Sequence, residues 1–122
     1  MTTATTYQRM MLCLHGWVLC NTGGGAIPAY MHDHIMSYLL NGLRPDPGDF
    51  LEAVICDLPF SQVVPLADDQ NREALLTWHR LLYNVFPSEA WRSRENMDLW
   101  IERGGTKGEP LPYLERYVDV EA

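Results

Sequence analysis

Apolar residues recur at helical spacing through the middle of the chain, and polar punctuation separates the repeats. Ile27, Met31, Ile35, Tyr38 and Leu39 step by three and four, which predicts a helix over 28–41. Pro28 suits the first helical position, where its missing N–H costs nothing, and Gly42 supplies a left-handed stop. The link Arg44-Pro45-Asp46-Pro47-Gly48 excludes a helix. Asp49 and Glu52 then spell a capping box ahead of Phe50, Leu51, Val54, Ile55 and Leu58, and Pro59 ends that helix. A short turn follows over 61–67, weakened by Pro65. Asp68 or Asp69 opens the longest predicted helix, which runs to about Val85. Within it Leu75, Trp78, His79, Leu82, Val85 and Phe86 mark one face. Pro87 closes it, Ser93 caps a last helix through Arg103 with Met97, Trp100 and Ile101 inward, and Gly104-Gly105 stop that one.

The two ends are less regular. Residues 7–20 are apolar without a clean period, so strand and helix both stay open there. Asn21 to Gly25, with three successive glycines, punctuates the chain. The expected organisation is an N-terminal appendage (1–25), a helical core domain (26–105) and a tail (106–122). Tyr113, Leu114, Tyr117, Val118 and Val120 make that tail too apolar to be solvated, so it should pack on the body or form homo-oligomer contacts. The fold class is mainly all-α, a compact bundle of about five helices.

Composition narrows the function classes. A hydrophobic share of 47% over 122 residues suits one globular domain and excludes a disordered chain. The net charge is -7, and Lys107 is the one lysine among nine basic residues, which argues against an extended nucleic-acid partner. That balance still allows a local anion site, or an acidic surface docking on a basic protein. Cys13, Cys20 and Cys56 form no C-x-x-C pair and no even set, so they read as reduced thiols in a cytoplasmic protein. The apolar run 10–20 is too short to cross a bilayer, so no membrane partner is expected.

Most apparent motifs dissolve on inspection. His15-Gly16 after an apolar run suggests a hydrolase strand, but no G-x-S-x-G elbow accompanies it. His32 and His34 lie two apart, so on a helix they point to nearly opposite faces. This predicts a solvent-facing His32, a core-edge His34, no metal and no cofactor. Asp68-Asp69 reads as a helix cap. The best local site is Trp91-Arg92-Ser93-Arg94. Arg94 stands at the first helical position, beside free backbone N–H groups. Two guanidiniums, a hydroxyl, a helix N-terminus and an indole suit a phosphate with a stacked base. Trp91, in a short connection, should be partly exposed. The competing reading leaves both arginines solvated and paired with Glu89 or Glu95.

The run Gly48-Asp49-Phe50-Leu51-Glu52-Ala53-Val54, then Ala67-Asp68-Asp69-Gln70-Asn71-Arg72, Leu82-Tyr83-Asn84, Pro87-Ser88, Trp91 and Trp100, resembles small accessory proteins of tailed phages and prophages. The similarity covers residues 45–105. Members commonly carry glycine where this chain has Arg92, and asparagine where it has Cys56. The resemblance implies a non-enzymatic antagonist of host defence in the host cytoplasm, one that sequesters a small anionic ligand, most plainly a cyclic nucleotide signal. On that reading Arg92 and Arg94 meet phosphate, with Arg44 as a further contact. Trp91 or Tyr83 stacks a base, and Asn84 reads its edge. The alternative is an acidic inhibitor that binds a host defence protein, in the manner of anti-CRISPRs.

Overall fold

Thr5 decides the conformation that the N-terminal pattern leaves open. Its hydroxyl accepts the Gln8 N–H (3.1 Å) and the Gln8 side chain accepts the Thr5 N–H (2.9 Å), a reciprocal cap that starts helix α1 (Thr6–Cys20). Met10, Cys13, Leu14 and Trp17 then fall at three- and four-residue steps on one buried stripe. Leu12 and Leu19, exposed on the outer side, blur that period in the sequence. The computed structural model describes residues 5–117, and among these it holds eight α-helices and no strand. The expected mainly all-α fold is thus observed.

Helix α2 (His32–Asn41) follows a short 3-10 turn at Ala29–Met31 and ends at Gly42 with φ 67°. Helix α3 (Phe50–Ile55) starts at Asp49, whose carboxylate accepts the Phe50 N–H (2.8 Å). The expected capping box is displaced by one residue, because Glu52 accepts the Gly48 N–H (3.1 Å). Helix α4 (Phe60–Val63) runs into a 3-10 turn at Val64–Leu66. The long helix predicted from Asp68 to Val85 is two: α5 (Asp69–Glu73) and α6 (Leu75–Asn84). They part at Ala74 (φ -102°, ψ 13°), where the glycine-rich link lies against the backbone. A Cβ on Gly25 would stand 2.2 Å from the Glu73 carbonyl oxygen, and one on Gly24 2.7 Å from Leu76. The Thr77 hydroxyl donates to the Gly25 carbonyl and ties the link down. The glycines therefore join the N-terminal helix to α6 by close contact.

Helix α7 (Arg94–Arg103) opens on Ser93, which accepts the Asn96 N–H (3.0 Å), and closes on Gly104. The segment after it returns to the end of α2. The Trp100 indole N–H donates to the Tyr38 carbonyl (3.0 Å), Thr106 N–H to Leu39 (3.0 Å) and Gly108 N–H to Leu40 (2.9 Å). A buried helix end leaves carbonyls that must find donors, and this segment supplies them. The approach is so close that a Cβ on Gly105 (φ 65°) would lie 2.6 Å from the Leu39 oxygen.

Helix α8 (Pro112–Glu115) packs on α1, and Leu111 and Leu114 enter the same buried cluster as Met10 and Trp17. Helix α1, placed in an appendage by the sequence, therefore shares one core with 26–105. Val118 and Val120 lie outside the described residues. Among the described residues, no helix is long and apolar enough to cross a membrane.

The histidine assignment is reversed. His32 is buried (4% exposed), with its ring 5.5 Å from that of His15 and its Nε2 3.3 Å from the Ile27 carbonyl, whereas His34 is exposed. The 3-10 turn rotates the start of α2, which brings His32 against α1. Burial pushes the His32 pKa below the ordinary 6.5, the Ile27 carbonyl opposes that, and His15 adds to it.

Two outcomes test this account. Gly105→Ala should cost about 3 kcal/mol in urea unfolding. Gly48→Ala should cost about 1 kcal/mol, because its φ is also positive (77°) but nothing lies within 4 Å. As pH falls through 6.5, the unfolded chain gains a proton that buried His32 refuses. Stability should therefore decline until the folded His32 itself protonates. The His32→Gln variant should lose that part of the pH dependence, read from urea midpoints across the range.

Candidate functional site

The connection between α6 and α7 is fastened at three points before it presents any side chain. The Tyr38 hydroxyl donates to the Ala90 carbonyl (2.5 Å), the Arg92 N–H to the Ile55 carbonyl (2.9 Å) and the Asn96 side-chain amide to the Trp91 carbonyl (2.8 Å). These bonds pull Trp91 inward. It is 2% exposed, not half-open as its place in a short connection suggests, so it offers no free face for stacking. Its ring meets Tyr83 edge-on at 5.0 Å.

Arg92 is turned the other way. Its φ of 91° is left-handed, a conformation that side-chain-bearing residues rarely take. The exposed guanidinium lies 5.6 Å from the Tyr83 ring centre and 5.1 Å from that of Trp91. Such cation–ring packing holds the side chain while leaving its N–H donors in solvent. Among the described residues Arg92 makes no ion pair. Tyr83 itself is 56% exposed. Asn84, next along, folds its amide nitrogen back onto the Arg80 carbonyl of its own helix (2.9 Å).

Tyr83 leads into a feature the sequence reasoning missed. The His79 ring sits 4.5 Å from Tyr83, and His79 also lines a groove of about 460 Å³ between α4 and α6. Phe60 (72% exposed) and Leu76 flank this groove, and Leu58, Val63 and Trp78 line it further. The volume is within the range of small-molecule sites. His79 reads in the sequence as part of the apolar face of α6, yet it is exposed. The one available signal was Phe60, an aromatic residue directly after the helix-ending Pro59.

The other two arginines stand elsewhere. Arg94 pairs with Glu52 (3.4 Å) and Arg44 with Asp98 (2.9 Å). Glu89, a partner expected for the loop arginines, pairs instead with Arg103 (3.7 Å). The four groups alternate in sign and bind the 44–48 link and α3 to α7. Burial alone would raise the Glu52 pKa, but the Gly48 N–H and Arg94 outweigh it and hold this carboxyl below its usual range. Burial pushes the nearby Cys56 thiol up, and that thiol donates to the Met97 sulfur (3.7 Å). The expected site is therefore divided. Arg92, Tyr83 and the wall of Trp91 come together, with Asn84 adjacent on α6. Arg44 and Arg94 serve as structural ion pairs.

Among the described residues, no three His, Cys, Asp or Glu side chains gather closely enough to hold a metal ion. No family model, curated protein or solved structure matches the chain.

The ion-pair assignment predicts a proton-linked effect. Glu52 contributes stability above its ordinary pKa of 4.5, and this is lost as pH falls through its lower folded value. Arg94→Ala should move the folded value back up and flatten the acid limb of stability. Carboxyl NMR titration of Glu52 in both proteins reads the shift directly.

Proposed function

We propose that the chain is a non-enzymatic binding protein that sequesters a small anionic ligand bearing a planar ring. The observation that carries this reading is the exposed Arg92 guanidinium, without an ion pair among the described residues, laid over a Tyr83 ring that touches His79 of the apolar groove. Arg92 supplies charge-assisted donors to a phosphate, and the half-exposed Tyr83 ring supplies an aromatic surface to a base. Trp91 is the fixed wall behind both. Asn84 keeps its amide oxygen as an acceptor beside them. The resemblance to tailed-phage accessory proteins favours a cyclic nucleotide of host defence as the ligand class. Arg44 and Arg94 leave the ligand set, because each is already neutralised.

A second reading has its own support. The carboxylates of Asp46, Asp49, Asp57, Asp68, Asp69 and Glu73 are all exposed, in a chain of net charge -7. An acidic inhibitor of a basic host protein would use such a surface, and its association would weaken steeply with salt.

A thermal-shift panel of cyclic di- and trinucleotides tests the first reading. At a hundredfold excess over Kd, a bound ligand should stabilise the fold by about 2.7 kcal/mol, or several degrees. Arg92→Ala should abolish the shift, Tyr83→Ala should weaken binding about tenfold, and Arg94→Ala should bind as the parent does. No shift with any member of the panel rejects this reading. Salt-sensitive capture of a basic host protein, with no nucleotide shift, selects the second.

A further inference from the structure

A second cleft, of about 470 Å³, lies between the α2–α3 link and the start of α5, and its chemistry is the reverse of the Arg92 corner. Its floor is apolar, with Met31, Phe50, Leu51 and Leu66. One wall is Tyr30, whose ring is half exposed (50%) yet firmly placed. The buried Trp78 indole donates to the Asn71 side-chain oxygen (3.0 Å), the Asn71 amide donates to the Tyr30 hydroxyl (3.3 Å), and that hydroxyl donates to Asp68. Asn71 is itself buried, so a buried amide is spent on orienting a solvent-facing ring.

Three carboxylates line the same cleft: Asp46, Asp49 and Asp68. The basic groups beside them are His34 and Arg44, both exposed, and the charge of Arg44 is taken up by Asp98 at 2.9 Å. The cleft thus joins an oriented aromatic face, an apolar floor and an excess of negative charge. No three of its acidic or imidazole groups converge on a point suited to a metal ion. We propose that this cleft binds an organic cation, an alkylammonium or guanidinium group. Its charge lies over Tyr30 among the carboxylates, and its alkyl stem rests on Met31, Phe50 and Leu51. The proposal does not rest on nucleotide binding at Arg92.

The same cation has two sources, a free amine or a basic side chain of another protein. Amide NMR titrations with agmatine, with spermidine and with a short Arg/Lys peptide separate them. Saturable shifts at Tyr30 and across residues 43–51 are expected, with neutral n-butanol giving none. Tighter binding of the peptide than of both amines assigns the site to a basic protein segment, and the converse to a free amine. The triple variant Asp46→Asn, Asp49→Asn, Asp68→Asn keeps both helix caps, since asparagine caps as well as aspartate. It should weaken cation binding about tenfold or more, with its spectrum unchanged away from the three sites and from Tyr30 and Asn71, which bond to Asp68. Tyr30→Leu should weaken binding severalfold, and Arg92→Ala should leave it unaltered. Absence of saturable shifts with all three cations, equal shifts with n-butanol, or undiminished binding by the triple variant would overturn the proposal.

Discussion

The C-terminal end of α2 is buried, and the whole arrangement depends on how its carbonyls are satisfied. Three of them, Tyr38, Leu39 and Leu40, accept from the Trp100 indole and from the Thr106 and Gly108 N–H groups. Left unpaired in the core, the Leu39 and Leu40 carbonyls would each cost about 1–3 kcal/mol, while the Tyr38 carbonyl also takes the Gly42 N–H. Tyr38 works at both ends of this joint. Its carbonyl takes the indole of α7, while its hydroxyl reaches the Ala90 carbonyl in the connection that precedes α7. One residue of α2 thus fixes the helix that follows the Trp91–Ser93 segment and the loop that leads into it. The packing of Gly42 against Gly104-Gly105 is what lets the two backbones come close enough.

Charge is distributed according to the same framework. Where arginine meets carboxylate across the 44–48 link, α3 and α7, the charges cancel and the elements are held together. Part of what is left over stands beside aromatic rings in two places. A lone guanidinium stands on the Tyr83 ring, and uncompensated carboxylates stand around the Tyr30 ring. Each surplus charge is set beside an aromatic face whose orientation is fixed from below, by the Trp91 contact in one case and by Asn71 in the other. Rigid rings beside charge lower the entropy lost when a ligand is ordered there, which is the physical basis of both proposals.

Local signals in the sequence were reliable where the backbone itself sets the outcome. Asp49 and Ser93 cap the helices expected of them, Asp68 caps α5, the first piece of the long helix expected there, and Gly42 and Gly104 stop theirs in left-handed conformations. Errors arose where distant residues decide. Helix α1 was illegible because its outer face is also apolar at Leu12 and Leu19. The break at Ala74 depends on glycines some fifty positions away, which no local period records. His32 is inside because a 3-10 turn resets the phase of α2. Trp91 is inside because Tyr38, Ile55 and Asn96 hold its backbone, three partners invisible to a reading of the loop alone. The sequence groups Arg44, Arg92 and Arg94 together; that Arg44 and Arg94 pair with Asp98 and Glu52, while Arg92 makes no ion pair among the described residues, required the fold.

Arg92 is where local and global preference conflict most plainly. A φ of 91° suits glycine. A side chain held there costs about 1–3 kcal/mol of backbone strain. The N–H bond to Ile55 fixes the peptide regardless of the side chain, so it would serve glycine equally well. The guanidinium packing on Tyr83 and Trp91 recovers part of the cost, yet the charged end remains exposed, with no carboxylate partner among the described residues. Stability alone thus gives no reason to place an arginine at this position. What the arginine adds is a positive charge held beside a half-exposed aromatic ring, and this is the feature on which the proposed ligand reading rests.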